Sequence, residues 1–475
     1  MLFVRLFVLA LLLHENTGLF TRGRNYFTTC FLPSLGLYLP LRGMVALHGS
    51  LLALCATLLF CPSLWMLYPL LLLALSLLIA SYSIRLSNHL VAAWFMGLLL
   101  CLDLLFQTPE RRGLAPTPFF LSGVQIVVGL TYALAFLHKL NPEYLSPRMS
   151  CGSYLGSQYL EHRVNIRHPG LLKLQGFLSI YAILALEGGI PLLFLFPATR
   201  PLGVLLAVLL HLPLGLLVHV HFAAVMYAGL SAFVAPGNWP RVLSAAFHFS
   251  PGKWIFCLLL GLYLGHRFGG YGYSDRRRLP AYLHQLFFGV YFLAALAVGL
   301  TLLHGGPLRT FAWGGPVQRA LLLTLTLAFL LNGLSPYLGL KTNFSFAMFS
   351  NLRPDPWRHL LWRAGWRPLC LARYIRVEEI EGLPETVSGE MPRLVVEHLR
   401  QHDQWQYTDY FFHEGLRLLC RTAQPPVIRI VYTEEGHRHE VQDYARAMAA
   451  HPPRYLRLAL FPYTLPLDPA TRHCD

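Results

Sequence analysis

The sequence predicts an all-α, multi-pass membrane helical bundle of about nine to eleven spans, followed by a small C-terminal α+β extramembrane domain. Three observations predict it. The chain has a mean hydropathy of +0.48, is 55% hydrophobic and only 13% charged, about half the charged share of an ordinary soluble protein. Apolar runs of spanning length recur through residues 1–349. Charge is also segregated: residues 1–349 hold 22 Lys and Arg against 7 Asp and Glu, while residues 350–475 hold 16 of each. The whole formal excess of +15 thus belongs to the apolar part. Bases between spans act as topology determinants and contacts to anionic lipid, so a pI near 9.5 does not argue for nucleic acid. No stretch combines stacking aromatics with bases in the nucleic-acid manner, and membrane lipid is the partner expected.

In chain order, MLFVRLFVLALLLHEN reads as a short first span. A cleaved leader is the alternative, but Arg5 interrupts its apolar core and no small-x-small site follows. Further runs lie near residues 44–61, 65–83, 89–106, 119–139, 172–196, 203–235, 254–268, 282–304 and 318–336. The run 203–235 is too long for one upright span, and Pro213 is its only breaker. Basic loops occur at Arg111–Arg112, between residues 139 and 173, and at Arg276–Arg278. Adding one span reverses the side of the last loop, so orientation hinges on that count. These segments form the predicted domain 1–349. The domain 350–475 follows, in which Met391–Arg400 and Tyr410–Cys420 show helical spacing. VIRIVYTEEGHRHEV reads as two short strands about a Glu435–Gly436 turn. No nucleotide loop or nucleophile motif is present in it.

Lys139 is the first candidate for chemistry. It is one of four lysines against thirty-four arginines and ends the apolar run Phe119–Leu137. A primary amine at that boundary loses hydration, which favours the neutral, basic form that Arg cannot adopt. A snorkelling lysine, its stem in lipid and its ammonium at the headgroups, is the structural alternative. Glu187 interrupts an uncharged span, LSIYAILALEGGIPLLFLF, and an intramembrane carboxylate is a functional hypothesis by default. Gly188, Gly189 and Pro191 after it are expected to loosen the helix beside a polar cavity. Ser87 or Asn88 would cap the next helix, which accounts for Asn88 without any function. His89, in that helix's first turn, meets the positive end of the dipole, which favours a neutral ring able to accept a proton. Interfacial packing is its alternative.

Twenty-one histidines call for a metal test. His219 and His221 are about 200° apart on a helix and cannot share an ion, whereas His211 and His219 are about 80° apart. No HExxH or Glu-x-x-His pair occurs, and the nine cysteines form no CxxC, so no metal is expected.

The blocks RLFVLALLLHENTGLF, SNHLVAAWF, VQIVVGLTYALAFLHKLNPEYL, ALEGGIPLLFLFPATRPLG, the segment His211 to Pro240, and NGLSPYLGLKTNFSFAMFSNLR carry a resemblance across most of residues 1–353. In order and spacing they resemble the vitamin K-dependent gamma-carboxylase family and its bacterial relatives, the HTTM membrane-domain superfamily. The resemblance implies a bacterial cytoplasmic (inner) membrane protein using a reduced naphthoquinone of the vitamin K or menaquinol type, with O2 and CO2 and no metal. In that family quinol oxygenation generates the base that removes a glutamyl γ-proton before carboxylation. The quinol-deprotonating lysine lies in an apolar-x-Lys-Lys-Leu segment. Here the segment is Leu137–His138–Lys139–Leu140, so Lys139 keeps the matching position and His138 replaces the first lysine. His89 in SNHL matches an assisting histidine and would partner Lys139. Glu187 and His211 match looser positions. Characterised carboxylases carry a large β-rich C-terminal region that docks the protein substrate, and this chain has only residues 350–475 there, which puts protein docking in doubt. The rival class is a non-catalytic transporter or lipid- or quinone-binding protein using Glu187 and the His211 region as a polar path. It expects broken helices, whereas the quinol reading expects Lys139 in a closed pocket with His89.

Overall fold

A computed structural model describes residues 2–21, 31–32, 37–38, 41–81, 88–108, 112, 117–161, 168–215, 220–234, 295–296, 314–338, 345–346, 350, 359–360, 374–387, 390–420, 426–434, 436–450 and 464–466. The runs 254–268 and nearly all of 282–304, the Arg276–Arg278 loop and His219 lie outside them.

Apolar runs become helices in the order α1 (Leu2–Thr21), α2 (Leu41–Phe60), α3 (Leu67–Ser81), α4 (Asn88–Leu105) and α5 (Pro118–Lys139), with the two-residue strands β1 (Phe31–Leu32) and β2 (Leu37–Tyr38) paired antiparallel between the first two. Short helices α6 (Pro142–Leu145) and α7 (Cys151–Tyr159) lead to α8 (Pro169–Leu195), α9 (Arg200–Leu214), α10 (Val220–Leu230) and α11 (Pro316–Leu334). The long run 203–235 thus holds α9 and α10, and residues 216–219 between them lie outside the described residues.

Among the described residues four helices, α4, α5, α8 and α11, are long and apolar enough to cross a membrane. They differ in burial. Two thirds of α4 (67%) and 61% of the α5 window are inside the protein, against 28% for α8 and 17% for α11. The outer pair therefore turns Leu174, Phe177, Leu192, Leu323 and Leu327 outward, and a helix that is apolar on its exposed side suits a hydrocarbon surrounding.

Local chemistry fixes the central pair. Thr117 precedes Pro118 at the start of α5, and both its N–H and its hydroxyl donate to the Asp103 carboxylate, which also accepts from Gln107 Nε2 at 2.7 Å. This staple joins the end of α4 to the start of α5. The start of α4 and the end of α5 consequently share one end of the bundle. Helix α5 stops at Lys139 because Pro142 follows closely; Asn141 Oδ1 accepts the Tyr144 N–H at 2.8 Å and begins α6.

The C-terminal unit contains a small antiparallel sheet: β3 (Tyr374–Glu381), β4 (Trp405–Thr408), β5 (Arg429–Glu434), β6 (His437–Val441) and the three-residue edge β7 (Thr464–Pro466), in the order β6-β5-β3-β4-β7. Helices α12 (Glu390–Arg400), α13 (Asp409–Leu419) and α14 (Tyr444–Ala450) accompany it. Ile375, Val377, Leu399, Phe412 and Ile430 meet in its core. Gly436, at φ 84°, makes the tight turn between β5 and β6 that a side chain would strain. The two expected helices and the expected hairpin are present. The central strand β3 and the strands β4 and β7 are additions to the sequence reading.

Candidate functional site

Helix α8 passes α5 closely. A Cβ built on Gly188 would lie 2.9 Å from the Phe136 ring, so only glycine permits this approach without displacing that ring. The neighbouring Glu187 is thereby carried to the end of α5. Lys139 Nζ lies 2.8 Å from Glu187 Oε2 and 3.0 Å from Oε1, with both side chains buried. A third, long contact reaches the Ala135 carbonyl at 3.5 Å, and the ammonium sits 5.8 Å from the centre of the Tyr144 ring.

Lys139 and Glu187 open onto a cavity of about 540 Å³, within the usual range for small-molecule sites of about 300–1,000 Å³. Most of its wall is aliphatic, from α8 and α9. Its polar lining includes Asn88, Thr131, Tyr132, Tyr144, Ser179 and His211. Leu178 and Leu209 line it too, yet each is about half exposed, at 52% and 44%; the cavity thus reaches the outer flank between α8 and α9.

His211 is almost wholly buried, and neither of its ring nitrogens has a hydrogen-bond partner among the described residues. The hydroxyls of Tyr132 and Tyr144 share this condition. Tyr132 stands 5.7 Å from His211 between ring centres, and Phe222 stands 5.4 Å away. Buried polar atoms without partners each cost about 1–3 kcal/mol. All three side chains line one largely apolar cavity, and buried polar groups left without partners call for an explanation.

The sequence candidates therefore separate. Lys139, Glu187 and His211 line one cavity. His89 does not bond Lys139: its ring stacks on His221 at 5.7 Å, while the adjacent Asn88 faces the cavity. Glu187 takes the place expected for His89, because the Gly188 contact brings a carboxylate within bonding distance. His138 turns away from the cavity. Its Nδ1 meets Tyr337 Oη at 2.9 Å and its Nε2 meets the Ser345 carbonyl at 2.8 Å.

Two local expectations need correction. Helix α8 runs unbroken from Pro169 through Gly188, Gly189 and Pro191 to Leu195; Gly188 serves close packing and does not loosen the helix. The Asn88 side chain does more than a cap would, since its Oδ1 accepts the N–H of Phe346, 258 residues later, at 2.9 Å. No group of three metal-ligating side chains occurs among the described residues. Comparison with protein-family models, curated proteins and solved structures finds no match.

Proposed function

We propose that this chain is an integral membrane protein, crossing the bilayer about nine to eleven times, whose bundle holds a lipophilic ligand with a small proton-bearing head. The observation that carries this reading is the buried Lys139–Glu187 pair on an otherwise apolar cavity, with His211, Tyr132 and Tyr144 left to be satisfied. The chemistry that fits best is that of the family the blocks resemble: quinol-dependent, carboxylase-like proton abstraction. Bound there, a reduced naphthoquinone would supply electrons to O2 and, through its oxidation, the base strength that carboxylation with CO2 demands.

The chain's own part is proton handling. Ammonium with carboxylate and amine with carboxylic acid carry the same net charge, so a proton can pass between Lys139 Nζ and Glu187 without creating a buried charge. The pair as a unit has room for one more proton, taken from a hydroxyl held at Nζ. His211, with both nitrogens uncommitted, can accept from one ligand group and donate to another. The aliphatic wall excludes water and strengthens these contacts.

The test uses purified protein in lipid nanodiscs. Oxidation of added reduced naphthoquinone under O2, followed by absorbance, supports the reading if it falls to background in Lys139→Ala. Absence of turnover, together with absence of any quinone among copurifying lipids, sinks the quinol chemistry. The rival, a transporter or lipid-binding protein, expects a polar path through a broken helix at Glu187, which the continuity of α8 does not provide; the closed pocket with His89 expected of the quinol reading is not met either, since the cavity reaches the flank between α8 and α9 and His89 stacks on His221.

A further inference from the structure

Ser345 and Phe346 are held by residues from far earlier in the chain. The Ser345 carbonyl can only accept, so His138 Nε2, at 2.8 Å, carries the hydrogen. Nδ1 is then the acceptor for the Tyr337 hydroxyl at 2.9 Å. With both nitrogens committed, His138 has no lone pair left for a ligand proton. On the other side of the same peptide unit, the Phe346 N–H donates to Asn88 Oδ1 at 2.9 Å.

Both anchors fix that one peptide plane, and at the bond that follows it Phe346 has φ 66°, in the left-handed region that a bulky side chain enters only when its surroundings over-determine it. The result of that conformation is specific. Phe346 is among the residues that line the cavity with Lys139, Glu187 and His211. It is backed by Phe329 at 4.9 Å, which in turn meets Phe95 edge-on at 5.0 Å. The peptide unit and the ring are thus held by separate contacts, which fixes the place of this aromatic residue at the cavity.

We propose that Phe346 is a specificity-determining wall of the cavity that receives a flat ring of the ligand. His138 is a positioning residue acting on that ligand only through the Ser345–Phe346 turn. This rests on the ligand-binding reading above. It assigns His138 a task different from the base chemistry of Lys139, and it accounts for the left-handed phenylalanine.

The test uses the full chain in nanodiscs and two probes, 2-methyl-1,4-naphthoquinone and 2-methyl-1,4-benzoquinone, each titrated by tryptophan quenching. Phe346→Leu keeps bulk and removes the flat face, and it should reduce the preference for the two-ring over the one-ring probe by about tenfold. Phe346→Tyr should preserve that preference. His138→Ala should shift it as Phe346→Leu does, and His138→Gln, whose amide can still donate to Ser345, should restore it. An unchanged preference in Phe346→Leu, with the wild type binding both probes, overturns the inference and leaves the ligand reading intact. Should the wild type bind neither quinone, the ligand reading fails, and thiol labelling then decides the remaining claim. The Phe346→Cys thiol should react with N-ethylmaleimide, read by mass spectrometry at that position, and its rate should change when His138→Ala is added. No reaction, or equal rates in the two backgrounds, overturns the inference.

Discussion

Lys139 Nζ and Glu187 Oε2 lie 2.8 Å apart in a buried pair formed by residues 48 positions apart. Removing one member leaves the other uncompensated, at a cost of about 3–5 kcal/mol, whereas replacing both with apolar residues of similar size is often neutral or better. Lys139→Ala should therefore lower thermal stability more than the double variant Lys139→Met/Glu187→Leu does. Both should lack turnover. Lys139→Arg is the informative substitution, because guanidinium preserves the pairing and cannot release a proton. It should keep near-native stability and lose activity as fully as Lys139→Ala. Wild-type-like quinol oxidation in Lys139→Arg would remove the base assignment.

His211 should show the opposite balance. Its two ring nitrogens, without a hydrogen-bond partner among the described residues, burden the folded state, so His211→Phe, similar in shape and free of polar atoms, should raise stability by about 1 kcal/mol or leave it unchanged. Ligand affinity or turnover should fall. Thermal unfolding in nanodiscs, run beside the activity assay, checks it; marked destabilisation would show that His211 is structurally satisfied.

Gly188 should tolerate no branched side chain. With a Cβ already 2.9 Å from the Phe136 ring, Gly188→Val should cost about 1–3 kcal/mol by overpacking. It should also push Glu187 away from Lys139. Adding Phe136→Ala should recover part of the stability. Failure of the second change to compensate, measured as a thermal midpoint, would mean that the two helices separate for another reason.

The C-terminal unit should weaken in acid. Burial, with a smaller push from His439, lowers His413 to about 4, and its Nδ1 lies 2.6 Å from Tyr444 Oη. Above pH 6.5 the ring is neutral in both folded and unfolded chains, and its contribution is intact. As pH falls from about 6.5 to 4 the unfolded chain binds the proton first, so stability declines by up to about 3 kcal/mol. Burial displaces His398 in the same direction. Hydrogen exchange over 409–450 between pH 7 and 4 should show this loss, and His413→Gln should flatten it; an unaltered slope in that variant assigns the effect elsewhere.

Sequence period and charge segregation made the helices and the terminal unit legible, since apolar run length and Pro or Gly punctuation are local properties. Met391–Arg400 and the Gly436 hairpin were readable on the same ground. Strand β3 was not found, although Ile375 and Val377 alternate with Arg376 and Glu378; a register shift between Val377 and Glu379 breaks the pattern after two inward residues. Lys139, Glu187 and His211 were visible as polar residues misplaced in apolar runs. Which of them meet was not visible, because the pairing depends on Gly188 sitting against Phe136. The Asn88–Phe346 bond joins segments 258 positions apart, and nothing in either segment announces the other.

Helix α8 has 27 residues. At about 1.5 Å per residue it is about 40 Å long, against a hydrocarbon layer of about 30 Å. In a bilayer such a surplus is absorbed by leaning, or by thickening the lipid around it. Helix α8 forms one wall of the cavity and α9 another, so on the membrane-spanning reading proposed above the lean of α8, and with it bilayer thickness, would bear on the gap between Leu178 and Leu209.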